Sequence, residues 1–183
     1  MQNVTTKVIT GEVRLSYAHV WEPHAIEEGQ PKKYSCCLLI PKTDTKTIEN
    51  IKQAIEAATQ IGMSKKFGGD RPRKLSTPLR DGDTDDTHGG KDDYVGHYFI
   101  NASCQQRPGI VDRNRQEIIN SEEVYSGCYA LVSVNFYAYN TNGNKGIACG
   151  LNHIMKTRDG DYLGGRTRAE DDFANVELDD DIF

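Results

Sequence analysis

No apolar run in this chain approaches the roughly 20 residues that span a bilayer, so a membrane-spanning helix is excluded. The opening Met1-Gln2-Asn3-Val4-Thr5-Thr6-Lys7 lacks the basic start, apolar stretch and small-residue cleavage site of a secretory signal, and the expectation is a soluble cytoplasmic protein. Cysteine is sparse and odd in number: Cys36, Cys37, Cys104, Cys128 and Cys149, mostly inside apolar strand-like runs, which points to reduced, buried thiols and not to a disulfide framework. Zinc spacing is missing too, since Cys36 and Cys37 are adjacent and Cys149 with His153 makes one pair only. There is no phosphate-binding Gly-rich loop, no Gly-x-Ser-x-Gly and no His-Glu-x-x-His, and His19, His24, His88, His97 and His153 are scattered without a nucleophile partner. The expectation is a protein that is not an enzyme and needs no cofactor.

Positive charge is entirely missing from the C-terminal stretch. From Ala169 to Phe183 there are seven acids and no Lys or Arg, so this segment carries −7 of a net charge of −5. Residues 1–168 are left at +2, with all 22 Lys and Arg against 20 acids. A mildly basic body with a polyanionic tail is compatible with a nucleic-acid partner, which the overall charge by itself would disfavour. The tail is too polar to build a core and is expected to be disordered in its free state.

At 183 residues the chain has room for one good core with appendages. Thr6 to Tyr17 alternates apolar and polar residues, and Lys33 to Ile40 is a compact apolar run; both read as strands. Between them Ala18 to Pro31 reads as a surface connection carrying the only tryptophan, Trp21. Asp44 to Gly62 sets Ile48, Ile51, Ile55 and Ala58, with Ile61 as a further candidate, near helical spacing, with Thr43 or Asp44 as N-cap and Gly62 as stop. Ser64 to Val95 is a polar stretch too long for an ordinary connection, and such loops are functional or disordered. Strand signals return at Gly96 to Cys104, Gly109 to Val111, Gly127 to Tyr139 and Lys145 to Met155, with Asn140 to Asn144 as a hairpin turn. The fold class is therefore mainly β: a closed or partly closed antiparallel barrel with one inserted α-helix, a long polar loop and an acidic tail.

Ser64 to Arg80 gathers Lys65, Lys66, Arg71, Arg73, Lys74 and Arg80 around glycines, a composition that attracts phosphates; a solvated charged loop is the plainer alternative. Arg107, Arg113, Arg115 and Lys145 are further candidate phosphate contacts. Trp21, Tyr94, Tyr137 and Tyr139 are the candidate base-stacking rings, with core packing as the competing role of any barrel aromatic. Tyr137 and Tyr139 share one strand face, and Phe136, in the opposite phase, belongs to the core. The run Asp81-Gly82-Asp83-Thr84-Asp85-Asp86 invites comparison with a calcium loop but has Asp86 where that loop needs glycine, so turn and hydrogen-bonding roles are expected of Asp81 and Asp83. Asp179, Asp180, Asp181, Ile182 and Phe183 form an acidic, apolar-ended terminus suited to a basic, apolar pocket on a partner protein, a solubilising tail being the alternative.

Several runs carry a resemblance: Thr77 to Asp83, Tyr98 to Ser103, Pro108 to Asp112, Val124 to Tyr129, Asn144 to Asn152, Arg158 to Gly160 and Asp171 to Phe173. In this order, over nearly the whole chain, they resemble a phage and prophage family of single-stranded DNA-binding proteins, and more distantly the single-stranded DNA-binding proteins of short-tailed coliphages. The resemblance implies an OB-fold over 1–168, and over 169–183 an acidic tail with a terminal aromatic. Cellular single-strand binding proteins end similarly but with a proline between Ile and Phe, which is absent between Ile182 and Phe183. The implied function is sequence-independent binding of single-stranded DNA in phage replication or recombination inside the bacterial host, with the tail recruiting replication or recombination proteins; a homodimer is one arrangement open to it. Two rivals stand beside it: a structural or interaction barrel that ignores DNA, and a metal-dependent nuclease using the Asp81 to Asp86 cluster.

Overall fold

A computed structural model of the protein describes residues 5–25, 27–85, 92–163 and 169–178. Its elements run β1 (Lys7–Ile9), β2 (Val13–His24), β3 (Lys33–Pro41), α1 (Thr45–Lys65), β4 (Arg80–Asp81), β5 (His97–Cys104), β6 (Gly109–Val111), a 3-10 turn at Ser121–Glu123, β7 (Tyr129–Thr141), β8 (Asn144–Arg158) and the single-turn α2 (Ala169–Asp172). None of the described helices is long and apolar enough to cross a membrane.

Five strands close into a ring. β7 pairs β2, β2 pairs β3, β3 pairs β5, β5 pairs β8 and β8 returns to β7, with β1, β4 and β6 as short additions at the margins. Most pairings are antiparallel; β5 and β6 each meet β8 in parallel. This is an OB-fold-like barrel. Alternate residues of its strands fill the interior: Val13 and Leu15, Cys36, Leu38 and Ile40, Ile100 and Ala102, Val132, Val134 and Phe136, and Ile147, Cys149 and Leu151 are all buried. All five cysteines are free thiols. Desolvation pushes Cys128 and Cys149 up to about 12 and Cys37 to about 11, so at neutral pH they behave as small apolar groups.

β7 and β8 form a long hairpin. Its two-residue turn, Asn142-Gly143, has φ of 51° and 85°, the left-handed pair that matches the twist of the strands on either side. α1 is capped by Asp44, whose Oδ1 accepts from Thr47 N at 3.2 Å, and buries Ile48, Ile51, Ala54 and Ala58 against the barrel. The helix continues past Gly62, which the sequence marked as its stop. Gly62 is instead a contact point: a Cβ there would lie 2.5 Å from that of Ala138 on β7.

Two further expectations are corrected. Residues 18–24 are strand and not a surface connection, because bulges on either side of His19 let β2 keep pairing β3 where apolar alternation fails. The polar stretch 64–95 is, over its described residues, a fitted strap. Phe67 is buried, Leu75 and Leu79 pack against the core, Ser76 bridges Gly146, and β4 pairs Phe99 and Tyr98. Its charges obscured the few apolar anchors that hold it. A second, small cluster on the outer side of β3 and β5 joins Cys37, Leu39, Tyr94 and Phe99, with Leu163 packed on it.

Candidate nucleic-acid interface

β7 sends Phe136 inward, 1% exposed, and Tyr137 outward, 46% exposed. Cross-strand partners share a face. Tyr139 therefore faces Gly146, Tyr137 faces Ala148, and Asn135 faces Gly150. A Cβ on Gly146 would lie 2.5 Å from Tyr139 Oη and 2.8 Å from the Ser76 carbonyl oxygen, and one on Gly150 would meet Tyr137 Cε1 at 3.6 Å. The two rings thus lie across a floor of small residues that holds them in place.

Two cavities adjoin along this strand. One, of about 830 Å³, includes Tyr137 and takes its cations from Lys7, Lys33 and Arg107. The other, of about 840 Å³, includes Tyr139 and takes its cations from Arg73, Lys74 and Lys145. Tyr137 and Tyr139 stand two positions, roughly 7 Å, apart on the strand, so the rings join the two basic hollows. Barrels of this kind bind oligonucleotides on their second and third strands and with the loops joining strands one to two and four to five. Counted around this ring, those strands are β3 and β5, which supply Lys33, Ser103 and Cys104 to the first cavity, and the four-to-five loop is the β7–β8 turn bordering the second. Local folding, charge and topology coincide on one face.

Of the residues singled out by sequence, Arg73, Lys74, Arg107, Tyr137, Tyr139 and Lys145 come together here. Lys65 and Lys66 end α1 beside the hairpin, where Asn140 Nδ2 donates to the Lys66 carbonyl at 3.2 Å. Arg80 is exposed on β4 opposite Phe99 and lines neither cavity. Arg71 is engaged elsewhere, in a two-pronged ion pair with Glu56 at 2.6 and 3.1 Å that holds the Glu56 carboxyl down to about 2. Arg113 and Arg115 sit in the turn after β6, which Asp112 holds by accepting from Asn114 N and Gln116 N.

One aromatic expectation changes. Tyr94 is 3% exposed and meets Phe99 edge-on at 5.0 Å, so it is a core ring of the outer cluster and not a platform for bases. Trp21 is half-buried on β2; its Nε1 donates to the Val124 carbonyl at 2.9 Å, and the Arg107 guanidinium stands 5.1 Å from its ring. In that place it supports a groove cation. Lys7 and Lys33 escaped the sequence reading because nothing local marks them: only the register of β1 on β7 and of β3 on β2 brings them to the groove.

Asp81 and Asp83 clasp the Lys42 ammonium at 2.7 and 2.6 Å, and Asp83 also accepts from Gly96 N at 3.0 Å. Lys42 holds both carboxyls below the usual range. They pin the turn after β4 to the end of β3 and the start of β5, as expected of turn residues. Among the described residues no group of three or more His, Cys, Asp or Glu is placed to hold a metal ion. Asp86, His88 and the terminal Asp179, Asp180, Asp181, Ile182 and Phe183 lie outside the described residues.

Fold and face define an OB-type barrel with a cationic, tyrosine-bearing groove on the face that barrels of this type use for oligonucleotides. The family described as Enterobacter phage Enc34, ssDNA-binding protein, matches residues 6–183, and the chain belongs to it. Protein p50 of Acyrthosiphon pisum secondary endosymbiont phage 1 is 32% identical over 183 residues, covering 94% of this chain and 95% of that one. The solved single-stranded DNA-binding protein from bacteriophage Enc34, in complex with ssDNA, aligns with a TM-score of 0.76 at 26% identity, covering 87% of this chain and 90% of that one. The gp2.5 single-stranded DNA-binding protein of bacteriophage T7 aligns with a TM-score of 0.61 at 16% identity over 96% of this chain and 97% of its own, a likeness of fold. The family resemblance carried by the scattered sequence runs is borne out.

Proposed function

We propose that this chain binds single-stranded DNA without regard to sequence during phage DNA replication or recombination, and that its acidic C-terminal segment recruits partner proteins. The observation that carries the reading is the groove along β7, where Tyr137 and Tyr139 join two basic hollows bearing Lys7, Lys33, Arg107, Arg73, Lys74 and Lys145. Base stacking on such rings contributes roughly 1 to 3 kcal/mol per base and is indifferent to sequence, while the cations follow the phosphates. Membership of a family named for ssDNA binding supports the same reading. The work is passive and intracellular: strands are held open and protected with no chemical step. Residues 1–168 act as the binding domain; residues 169–183 compete with DNA for the groove as a polyanion and offer Asp179, Asp180, Asp181, Ile182 and Phe183 to a replication or recombination protein.

Fluorescence anisotropy of labelled single- and double-stranded oligonucleotides at two salt concentrations tests this, using the full chain and one ending at Arg168. The expected outcome is salt-sensitive preference for the single strand, tightened by truncation. No retention of any oligonucleotide by either chain would overturn it in favour of a structural barrel, and magnesium-dependent cleavage of the label would point to the Asp81 to Asp86 cluster.

A further inference from the structure

His19 and His24 lie parallel on the end of β2, ring centroids 4.2 Å apart and planes inclined by 9°. His24 is exposed and His19 half-buried, so one face of the two-ring stack is open to solvent. Strand register fixes which side of the barrel they occupy. His19 is opposite Ser35 and His24 opposite Lys33; Ser35 is opposite Ser103, and Ser103 opposite Gly150. Lys33, Ser103 and Gly150 line the groove that holds Tyr137. At about 4.8 Å between neighbouring strands, His19 stands roughly 10 Å from Ser103 across a floor of serines. The histidine stack thus forms a wall beyond Lys33, next to the cavity but outside its own lining residues, and Tyr137 belongs to the far side.

We propose that the His19–His24 stack is a further DNA-contacting element: the open face of His24 takes a nucleobase, extending the stack to three rings, and the pair takes up a proton when the strand is bound. This rests on the single-strand reading above. Imidazole stacks on bases as other aromatic side chains do. Two imidazoles in contact disfavour protonation, and burial together with His24 holds His19 below its ordinary value in the free protein. The other charged groups of this wall are Lys33 opposite His24, Glu22 on β2, and Glu27 and Glu28 in the connection to β3; Lys7, Arg107 and His153 stand around the rest of the groove. A bound strand brings phosphates to this wall, which favours the imidazolium. The bound-state value then lies above the free-state value, so linkage requires affinity to rise as pH falls through the ordinary histidine range near 6.5. On the far side of the groove His153 Nδ1 accepts from Gly109 N at 3.2 Å.

The test is the Kd of the full chain for labelled oligothymidine, whose bases do not titrate between pH 6 and 8, measured by anisotropy at both pH values and fixed ionic strength. Wild type should bind about three-fold or more tighter at pH 6. H24A should bind about five-fold weaker than wild type at pH 8, as loss of one stacked base requires. H19Q/H24Q should lose most of the pH dependence, and H153Q should keep it. An unchanged pH profile in H19Q/H24Q overturns the proposal while leaving single-strand binding in place. Failure of the wild type to bind at either pH overturns both.

Discussion

Arg71 and Arg73 are two residues apart in a loop that looks uniformly basic, yet they have different work. Arg71 is held by both carboxylate oxygens of Glu56, whereas Arg73 lines the groove with Lys74 and Lys145. R73A should therefore weaken single-strand binding several-fold and reduce its salt dependence, and R71A should change Kd less than two-fold; the same anisotropy titrations compare them. Tyr94 and Tyr137 divide in a similar way. Truncating buried Tyr94 to Ala empties the outer cluster and should cost about 3 kcal/mol or more in urea unfolding, whereas Y137A should leave stability within about 1 kcal/mol and weaken Kd about five-fold. The carboxyls of Asp81 and Asp83 are lowered by Lys42. A lowered folded-state value means stability present above the ordinary Asp value near 4 and lost as pH falls through the lowered one. The urea midpoint should accordingly drop on acidification from pH 5 to pH 3 by more in wild type than in K42M.

At the scale of elements, the strap from Leu75 to Asp81 and the β7–β8 hairpin make the second cavity together. Ser76 N donates to the Lys145 carbonyl at 3.1 Å, and Ile147 N donates to the Ser76 carbonyl at 2.8 Å. Tyr139 rests at the same junction, over Gly146. A methyl group at residue 146 would meet the Tyr139 ring and the Ser76 carbonyl at once, so G146A should displace both ring and strap. Overpacking of this kind costs about 1 to 3 kcal/mol. Urea unfolding should report that loss and anisotropy a weaker Kd, whereas G150A, whose Cβ would meet Tyr137 at ordinary contact distance, should fold as wild type. Equal stability of G146A and wild type would show that ring and strap do not depend on the glycine.

Over the whole molecule, charge is divided between a body at +2 and a segment at −7. Six cations line the two hollows. If all six neutralise phosphates on a single strand, log K should fall with log salt at a slope of roughly −4. The chain ending at Arg168 should bind more tightly at low salt, and the advantage should shrink as salt screens the polyanion. A slope near zero would mean that the cations serve solubility alone.

Much of this protein was determined by local sequence, because local signals have local causes. Alternation along Gly127 to Tyr139 separated Phe136 from Tyr137, helical spacing placed α1, and Asn142-Gly143 specified the hairpin turn. Ordered runs over most of the chain marked its family. Tertiary structure alone decided which cations share a groove. Lys7 and Lys33 arrive through strand register, Arg71 leaves through an ion pair with a helix, and Tyr94, from a stretch that reads as polar, is buried against β3 and β5. Those outcomes depend on contacts between residues far apart in the chain, and no window of sequence contains both partners.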